Sequence, residues 1–227
     1  MSDPESFSFP EGSTLEACGP GGRAALAKYW SVSSYTARAV IVSESDLDDD
    51  VFFVLDGHAR AATFTDNGRE MFYSDLPAGD SFGMFAAIDG KPRSTNVFAK
   101  EPSKIARMSA HNFKEVLYTN RDVNHAFMIY MINLIRHLSN RVTEATTLST
   151  EQRLCAQLLR ICEKSGPNQA FIEKLPTQQE LAVLISSQRE SVGREMSKLK
   201  DQGLVLREGK SLKILNLHGI ETKLSDF

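Results

Sequence analysis

The stretch Leu175–Val205 constrains the fold of this chain more than any other. Two short helical patterns flank a polar pair, Ser186 and Ser187. The first opens on Pro176 and Thr177, with Glu180 following at the spacing of a capping box, in which hydroxyl and carboxylate each bond the other's backbone N–H. Leu181, Ala182, Leu184 and Ile185 supply its apolar side. In the second, at 100° per residue, Arg189, Glu190, Gly193, Arg194 and Ser197 share an arc of about 140°, and Val192, Met196 and Leu199 fall together on another side, in an arc of about 60°. Leu204–Arg207 and Leu212–Leu215 then bracket the turn residues Glu208 and Gly209, which predicts a β-hairpin.

One face of the second helix is built to pack. The other offers two guanidinium forks beside a carboxylate. Arginine can bond guanine O6 and N7 together, and a carboxylate can accept from the cytosine amino group. A helix-turn-helix puts such residues near the start of its second helix, where they meet base edges, and the hairpin would be its wing. The plain alternative is a two-helix element with a solvated charged face.

The 227 residues are 41% hydrophobic and 24% charged, a globular composition with enough apolar residues for a real core. No apolar run is long enough for a membrane span, and the N-terminal residues lack the basic and apolar regions of a secretory signal. Cys18, Cys155 and Cys162 are odd in number and widely spread, which fits a reducing, cytoplasmic setting and no disulfide framework. Cys155 and Cys162 lie on a helical pattern with Leu154, Leu158, Leu159 and Ile161 and are expected as small buried residues. The net charge of −3 is unevenly spread. Ser149–Phe227 holds twelve Lys and Arg against ten Asp and Glu, a balance of +2, leaving −5 for the rest. A mildly basic C-terminal part can bind phosphate locally, with modest non-specific affinity.

Residues 1–21 read as irregular, with Gly19-Pro-Gly-Gly22 as a breaker and a short helix expected at Arg23–Lys28. Strands are expected at Ala39–Ser43, Val51–Leu55, His58–Phe64, Glu70–Leu76, Asn96–Ala99 and Lys104–Met108, between Gly/Asp turns that include Asp66-Asn-Gly68. Regular short strands of this kind make a small sandwich or barrel. The acidic run Asp46–Asp50 reads as a solvated turn, and it lacks the glycine of a calcium loop. Helical patterning starts near Ala110 and dominates from Asp122. Met128, Met131, Ile135, Leu138, Val142 and Ala145 follow alternating steps of three and four, a heptad seam beside a second stripe of Phe127, Tyr130 and Leu134. A helix of about 26 residues is near 39 Å long, longer than a small barrel, which favours a dimer over one wide buried face. A further helix is expected over Thr150–Lys164, ended by Ser165-Gly-Pro167.

Catalytic motifs are absent or out of context. Gly79-Asp-Ser-Phe-Gly83 matches the nucleophile-elbow pattern but sits between strand patterns, without the helix the elbow requires. The five histidines, His58, His111, His125, His137 and His218, have no ligand spacing. No metal is implied and no enzyme is expected.

Barrel, heptad helix and winged helix-turn-helix, in that order, resemble the Crp/Fnr family of bacterial transcription regulators. Two places carry the resemblance most specifically. Thr177-Gln-Gln-Glu180 with Arg189-Glu190-Ser-Val-Gly-Arg194 is similar to the family's DNA-reading signature. Gly79-Asp-x-Phe-Gly83 with Pro92-Arg93-Ser94-Thr95 and Val97-x-Ala99 resembles its phosphate-binding cassette for cyclic nucleotides. The resemblance implies an α+β chain. Residues 1–21 would be an irregular N-terminal segment, 22–121 an antiparallel effector-sensing barrel of jelly-roll type, 122–147 a dimerisation helix, and 148–227 a winged helix-turn-helix. It implies a homodimer that binds a palindromic TGTGA-like operator in double-stranded DNA and works with RNA polymerase. Thr177, Gln178, Ser187, Gln188, Arg189, Glu190, Gly193 and Arg194 would form the DNA-binding set.

By the same resemblance, Gly83, Met84, Phe85, Arg93, Ser94, Thr95, Leu138 and Ser139 would surround a small effector, cyclic AMP or cyclic GMP. Arg93 would hold the phosphate. Met84 stands where the family has a glutamate for the ribose hydroxyl, and a thioether cannot accept as a carboxylate does. Losing a charged acceptor weakens binding by about ten- to a hundredfold. Leu138 replaces a hydroxyl residue, so the expected ligand is a weak cyclic nucleotide or another, more apolar anion. Two alternatives stay open. Arg93 could instead cap Asp80 or Asp89 in a barrel that binds nothing, leaving an effector-independent regulator. Or the C-terminal part could engage a protein, making the chain a ligand-sensing adaptor. Ser186 occupies a turn position where glycine is common, at a strain of about 1 kcal/mol.

Overall fold

The computed structural model describes residues 7–64 and 70–225. The turn expected at Asp66-Asn-Gly68 and the first six residues lie outside these. The chain divides into two compact units, the division falling between Ile135 and Arg136 in the sequence.

In the first unit, α1 (Thr14–Ala17) and α2 (Gly19–Ala27) precede a set of short strands. The irregular segment expected up to residue 21 is therefore corrected. Ser13 caps α1, its Oγ accepting from the N–H of Glu16. Gly19-Pro-Gly-Gly22 begins α2 instead of breaking it, because Pro20 sits in the first turn, where its missing N–H costs nothing. Gly22 packs so close to Val123 that an added Cβ would lie 3.0 Å from its Cγ2.

The strands are β1 (Ser31–Tyr35), β2 (Val40–Val42), β3 (Val51–Asp56), β4 (His58–Phe64), β5 (Glu70–Pro77), β6 (Ser81–Phe82), β7 (Asn96–Ala99) and β8 (Ser103–Met108). They form two antiparallel sheets of order β1-β8-β3-β6 and β2-β7-β4-β5, the jelly-roll arrangement expected. Val42, Ala59, Leu76 and Val97 from one sheet pack with Phe52, Val54, Phe82 and Ile105 from the other. A second core joins Val51, Phe53, Ala106 and Met108 to Leu15, Leu26, Phe113, Val123 and Phe127 on the helices. β1 and β6 escape the sequence pattern. β1 is Ser-rich and largely exposed, and β6 has only two residues.

Between β6 and β7 lies a short helix, α3 (Met84–Asp89), with α4 (Ala110–Thr119) and α5 (Arg121–Thr147) following β8. α5 is the long helix expected at 122–147, about 40 Å from end to end. Val123, Ala126 and Phe127 are buried near its start. Its heptad seam is not covered by the described residues: Met128, Ile135, Leu138 and Val142 are 51–65% exposed, Ala145 is exposed and Met131 half-buried.

The second unit contains α6 (Thr150–Ile161), β9 (Glu163–Gly166), β10 (Gln169–Ile172), α7 (Gln178–Leu184), α8 (Arg189–Asp201), β11 (Val205–Glu208), β12 (Ser211–Ile214) and α9 (Leu217–Ser225). Its antiparallel sheet runs β11-β12-β10-β9. The helix expected to reach Lys164 stops at Ile161, since Cys162 is extended and Glu163–Gly166 pairs with β10 as a hairpin about Gly166-Pro-Asn168. Leu154, Cys155, Leu158, Leu181, Val192, Leu199, Leu212 and Ile220 are its fully packed centre. Burial pushes the Cys155 thiol up to about 11 and the Cys18 thiol up to about 12, as inert, packed cysteines behave. Cys162 is only partly buried.

Candidate functional site

The two-helix element forms as its sequence dictates. Thr177 Oγ1 accepts from the N–H of Glu180, and the Glu180 carboxylate accepts from the N–H of Thr177 at 2.8 Å, a complete capping box. α7 ends at Ile185. Ser186 then takes a left-handed φ of 50°, and the Ser187 N–H returns to the carbonyl of Ala182 at 2.7 Å. That turn redirects the chain into α8. Val192 and Leu199 are fully buried, whereas Arg189, Glu190, Arg194 and Ser197 are exposed. Arg194 donates to Ser191 Oγ at 3.1 Å within its own helix. Gly193 is half-buried beside the Gln178 side chain, 3.5 Å from where a Cβ would stand, so the start of α7 and the exposed face of α8 adjoin. Thr177 and Gln188 are exposed and Ser187 and Gln178 half-buried around that face.

Two residues outside the expected set hold the turn from behind. Arg141 Nη2 donates to the carbonyl of Val183 at 3.2 Å, and Arg153 Nη1 to the carbonyl of Ser186 at 3.1 Å. Arg160 pairs with Glu144. An arginine opposite a carbonyl 42 residues away leaves no periodic signal to read in a sequence. A groove between α8 and the wing adds Lys200 and Arg207 to Gln178 and Ser197.

In the first unit, the structure brings Gly83 and Arg93 together. Gly83 has a φ of 85°, and a Cβ there would stand 2.6 Å from the carbonyl of Asp50 and 2.7 Å from Arg93 Nη1. Only glycine fits. The Arg93 side chain is 3% exposed and lies over the Phe52 ring. Its Nη1 donates to the Gly83 carbonyl at 3.2 Å, and its Nη2 to Asp48 Oδ1 at 2.5 Å and the Asp50 carbonyl at 2.8 Å. Arg107 Nη2 donates to Asp48 Oδ2 at 3.0 Å, and Arg107 Nε pairs with Asp50. The acidic run is therefore no free solvated turn: Asp48 and Asp50 turn onto two arginines. Arg93's acidic partner is Asp48, not Asp80 or Asp89.

The remaining cassette residues scatter. Met84 is 3% exposed and packs in the core that contains Phe53 and Phe113, so its side chain serves folding. Phe85 is 43% exposed, Ser94 exposed and Thr95 half-buried. Leu138 and Ser139 stand exposed on the part of α5 that belongs to the second unit. Ser81 of the elbow-like motif is fully buried in β6, where no substrate reaches it. Among the described residues, no cluster of three or more His, Cys, Asp or Glu could hold a metal, and no helix is long and apolar enough to cross a membrane.

Comparison with known proteins agrees with this geometry. Residues 32–120 match the family described as cyclic nucleotide-binding domain, and residues 152–222 the one described as Crp-like helix-turn-helix domain. The chain is 28% identical over 186 residues to the cAMP-activated global transcriptional regulator Vfr of Pseudomonas aeruginosa, covering 78% of this chain and 86% of Vfr. It is 23% identical over 184 residues to the cAMP-activated global transcriptional regulator CRP of Pasteurella multocida, covering 80% of this chain and 88% of that one. The fold matches that of a CooA mutant from Carboxydothermus hydrogenoformans with a TM-score of 0.75 and 18% identity, over 95% of this chain and 97% of that one.

Proposed function

The chain belongs to the Crp/Fnr family of transcription regulators, and from that premise we propose that it binds a palindromic, TGTGA-like operator as a homodimer. Arg189 and Arg194 each take a guanine and Glu190 a cytosine amino group. Thr177, Gln178, Ser187 and Gln188 bond phosphates or base edges around them, with Gly193 keeping the face open. One observation carries this reading. The face of α8 that displays Arg189, Glu190 and Arg194 to solvent lies opposite one that is fully packed by Val192 and Leu199. A helix so mounted can enter a major groove without disturbing its own core.

The assembly follows from α5. Met128, Met131, Ile135, Leu138, Val142 and Ala145 form an apolar heptad stripe that the described residues leave uncovered, and pairing it with its symmetry mate buries it. Two recognition helices would then meet half-sites about 34 Å apart. The barrel modulates DNA binding through a small anionic ligand gripped at Arg93. Cyclic AMP is the first candidate, since Vfr and CRP are described as activated by it. RNA polymerase is the expected further partner, and the setting the cytoplasm.

The test is equilibrium binding of the purified protein to a TGTGA palindrome and to a scrambled duplex, at two salt concentrations and with or without cyclic AMP. The reading expects a preference for the palindrome of about a thousandfold or more at physiological salt. Equal affinity for both duplexes would remove it in favour of a protein partner.

A further inference from the structure

We propose that Asp48 is the resident anion of the barrel: its carboxylate occupies the place on Arg93 that a ligand's phosphate would take, and a phosphate-bearing effector binds by displacing it. This rests on the reading of Arg93 as an anion grip.

Every bonded donor of Arg93 is taken by the chain. Asp48, the Asp50 carbonyl and the Gly83 carbonyl share its two terminal nitrogens. Asp48 presents its two oxygens to two guanidinium groups, Oδ1 to Arg93 and Oδ2 to Arg107. That is how a phosphate bridges a pair of arginines. The carboxylate is an incomplete substitute, however. Arg93 Nε is buried and has no hydrogen-bond partner among the described residues. Nε and Nη2 point along the same edge of a guanidinium, and an oxyanion held side-on accepts from both. Asp48 reaches only Nη2. A phosphate at that edge would bond Nη2 and also satisfy Nε, a buried donor otherwise left without a bond.

The arm that carries Asp48 is lightly held. Residues 46–50 form no helix or strand, and Leu47 between the acidic residues is fully exposed. Its ties are two bonds between Ser43 and Asp46, each N–H donating to the other residue's carboxylate or carbonyl oxygen, and the Asp48 and Asp50 bonds to the two arginines. Apolar packing does not pin it. A tethered carboxylate nevertheless competes at high effective concentration. If the open arm is populated at about 1–10%, apparent ligand affinity falls by about ten- to a hundredfold, since the intrinsic affinity is scaled by the competent fraction.

The test is calorimetric titration of full-length wild type, Asp48→Asn, Asp48→Ser and Asp48→Asn/Arg93→Gln with cyclic AMP, cyclic GMP and inorganic phosphate. Thermal melting identifies the folded variants, and either single variant that folds decides the question. The expected result is at least tenfold tighter binding of one of these anions on removing Asp48, abolished when Arg93 is also replaced. A gain for cyclic nucleotides alone assigns the site to a nucleotide phosphodiester, and a gain for phosphate too assigns it to simple phosphate. Unchanged affinity, no binding by any variant, or a gain that survives loss of Arg93 would each overturn the proposal. Operator binding measured on the same samples separates these failures from failure of the regulator reading. Tight cyclic AMP binding by wild type, unaltered in Asp48→Asn, would retire the resident anion and leave the effector site standing.

Discussion

The guanidinium of Arg141 donates to the carbonyl of Val183 across 3.2 Å, joining the long helix to the last turn of the first helix of the helix-turn-helix. Carbonyls at a helix end lack partners inside the helix, and a cation there also meets the negative end of the helix dipole. Arg153 does the same for Ser186 at 3.1 Å, and Glu144 ties Arg160 to the long helix. The turn ahead of α8 is thus held by side chains of two other helices, one of which carries the heptad seam.

Arg141→Ala should lower operator affinity by about tenfold, the net worth of one charge-assisted hydrogen bond. As a positioning residue, it should leave the slope of log affinity against log salt unchanged. A slope shallower by about one would mean that Arg141 contacts phosphate instead.

Ser186 holds a φ of 50° without being glycine. Replacing it with glycine should relieve strain of about 1 kcal/mol, partly offset by the added freedom of the unfolded chain. The net gain expected is about 0.5 kcal/mol, seen as a rise of a few degrees in Tm. Ser186→Val should lower Tm. Loss of stability with glycine would show that the Ser186 side chain supplies more than the turn.

Ile135 is 61% exposed on the seam. Ile135→Asp would set a charge against its symmetry mate and should give monomers that no longer bind the palindrome. Sedimentation of wild type and variant checks this, and a wild-type monomer would remove the dimer from the account.

Asp80 gives a pH dependence with a definite sign. Burial raises its pKa to about 6, against a smaller opposing effect of His58, and Asp80 in turn raises Tyr130, whose own burial is the larger cause. A carboxyl group with a raised folded pKa stabilises the protonated fold. Its contribution is complete below the unfolded value near 4 and is lost as pH rises through 6. Relative to Asp80→Asn, the wild-type barrel should therefore lose about 1–2 kcal/mol between pH 4 and pH 7, allowing for partial solvent screening. Parallel unfolding curves for the two proteins across that range would contradict it.

Local chemistry was legible in the sequence and long-range ionic pairing was not. The expected strands from Ala39 to Met108 match β2–β5, β7 and β8 within a residue or two, because Gly and Asp turns mark their ends. α8 was readable because a single period separates Val192 and Leu199 from Arg189 and Arg194. β9 was missed because Glu163-Lys-Ser-Gly166 has no apolar alternation and pairs with only one neighbour. Met84 was expected at the ligand, yet its side chain fills the core, a choice set by how α3 packs. Arg93 and Asp48 lie 45 residues apart in different loops, and nothing in either segment names the other.

The central claim is that α8 reads bases. Its most direct measurement is fluorescence anisotropy of Arg189→Ala and wild type on the TGTGA palindrome and on a scrambled duplex of the same length. The account predicts a loss of about 1–3 kcal/mol on the palindrome, roughly ten- to a hundredfold, with little change on the scrambled duplex. An equal loss on both duplexes would contradict it, because Arg189 would then touch only the phosphate backbone.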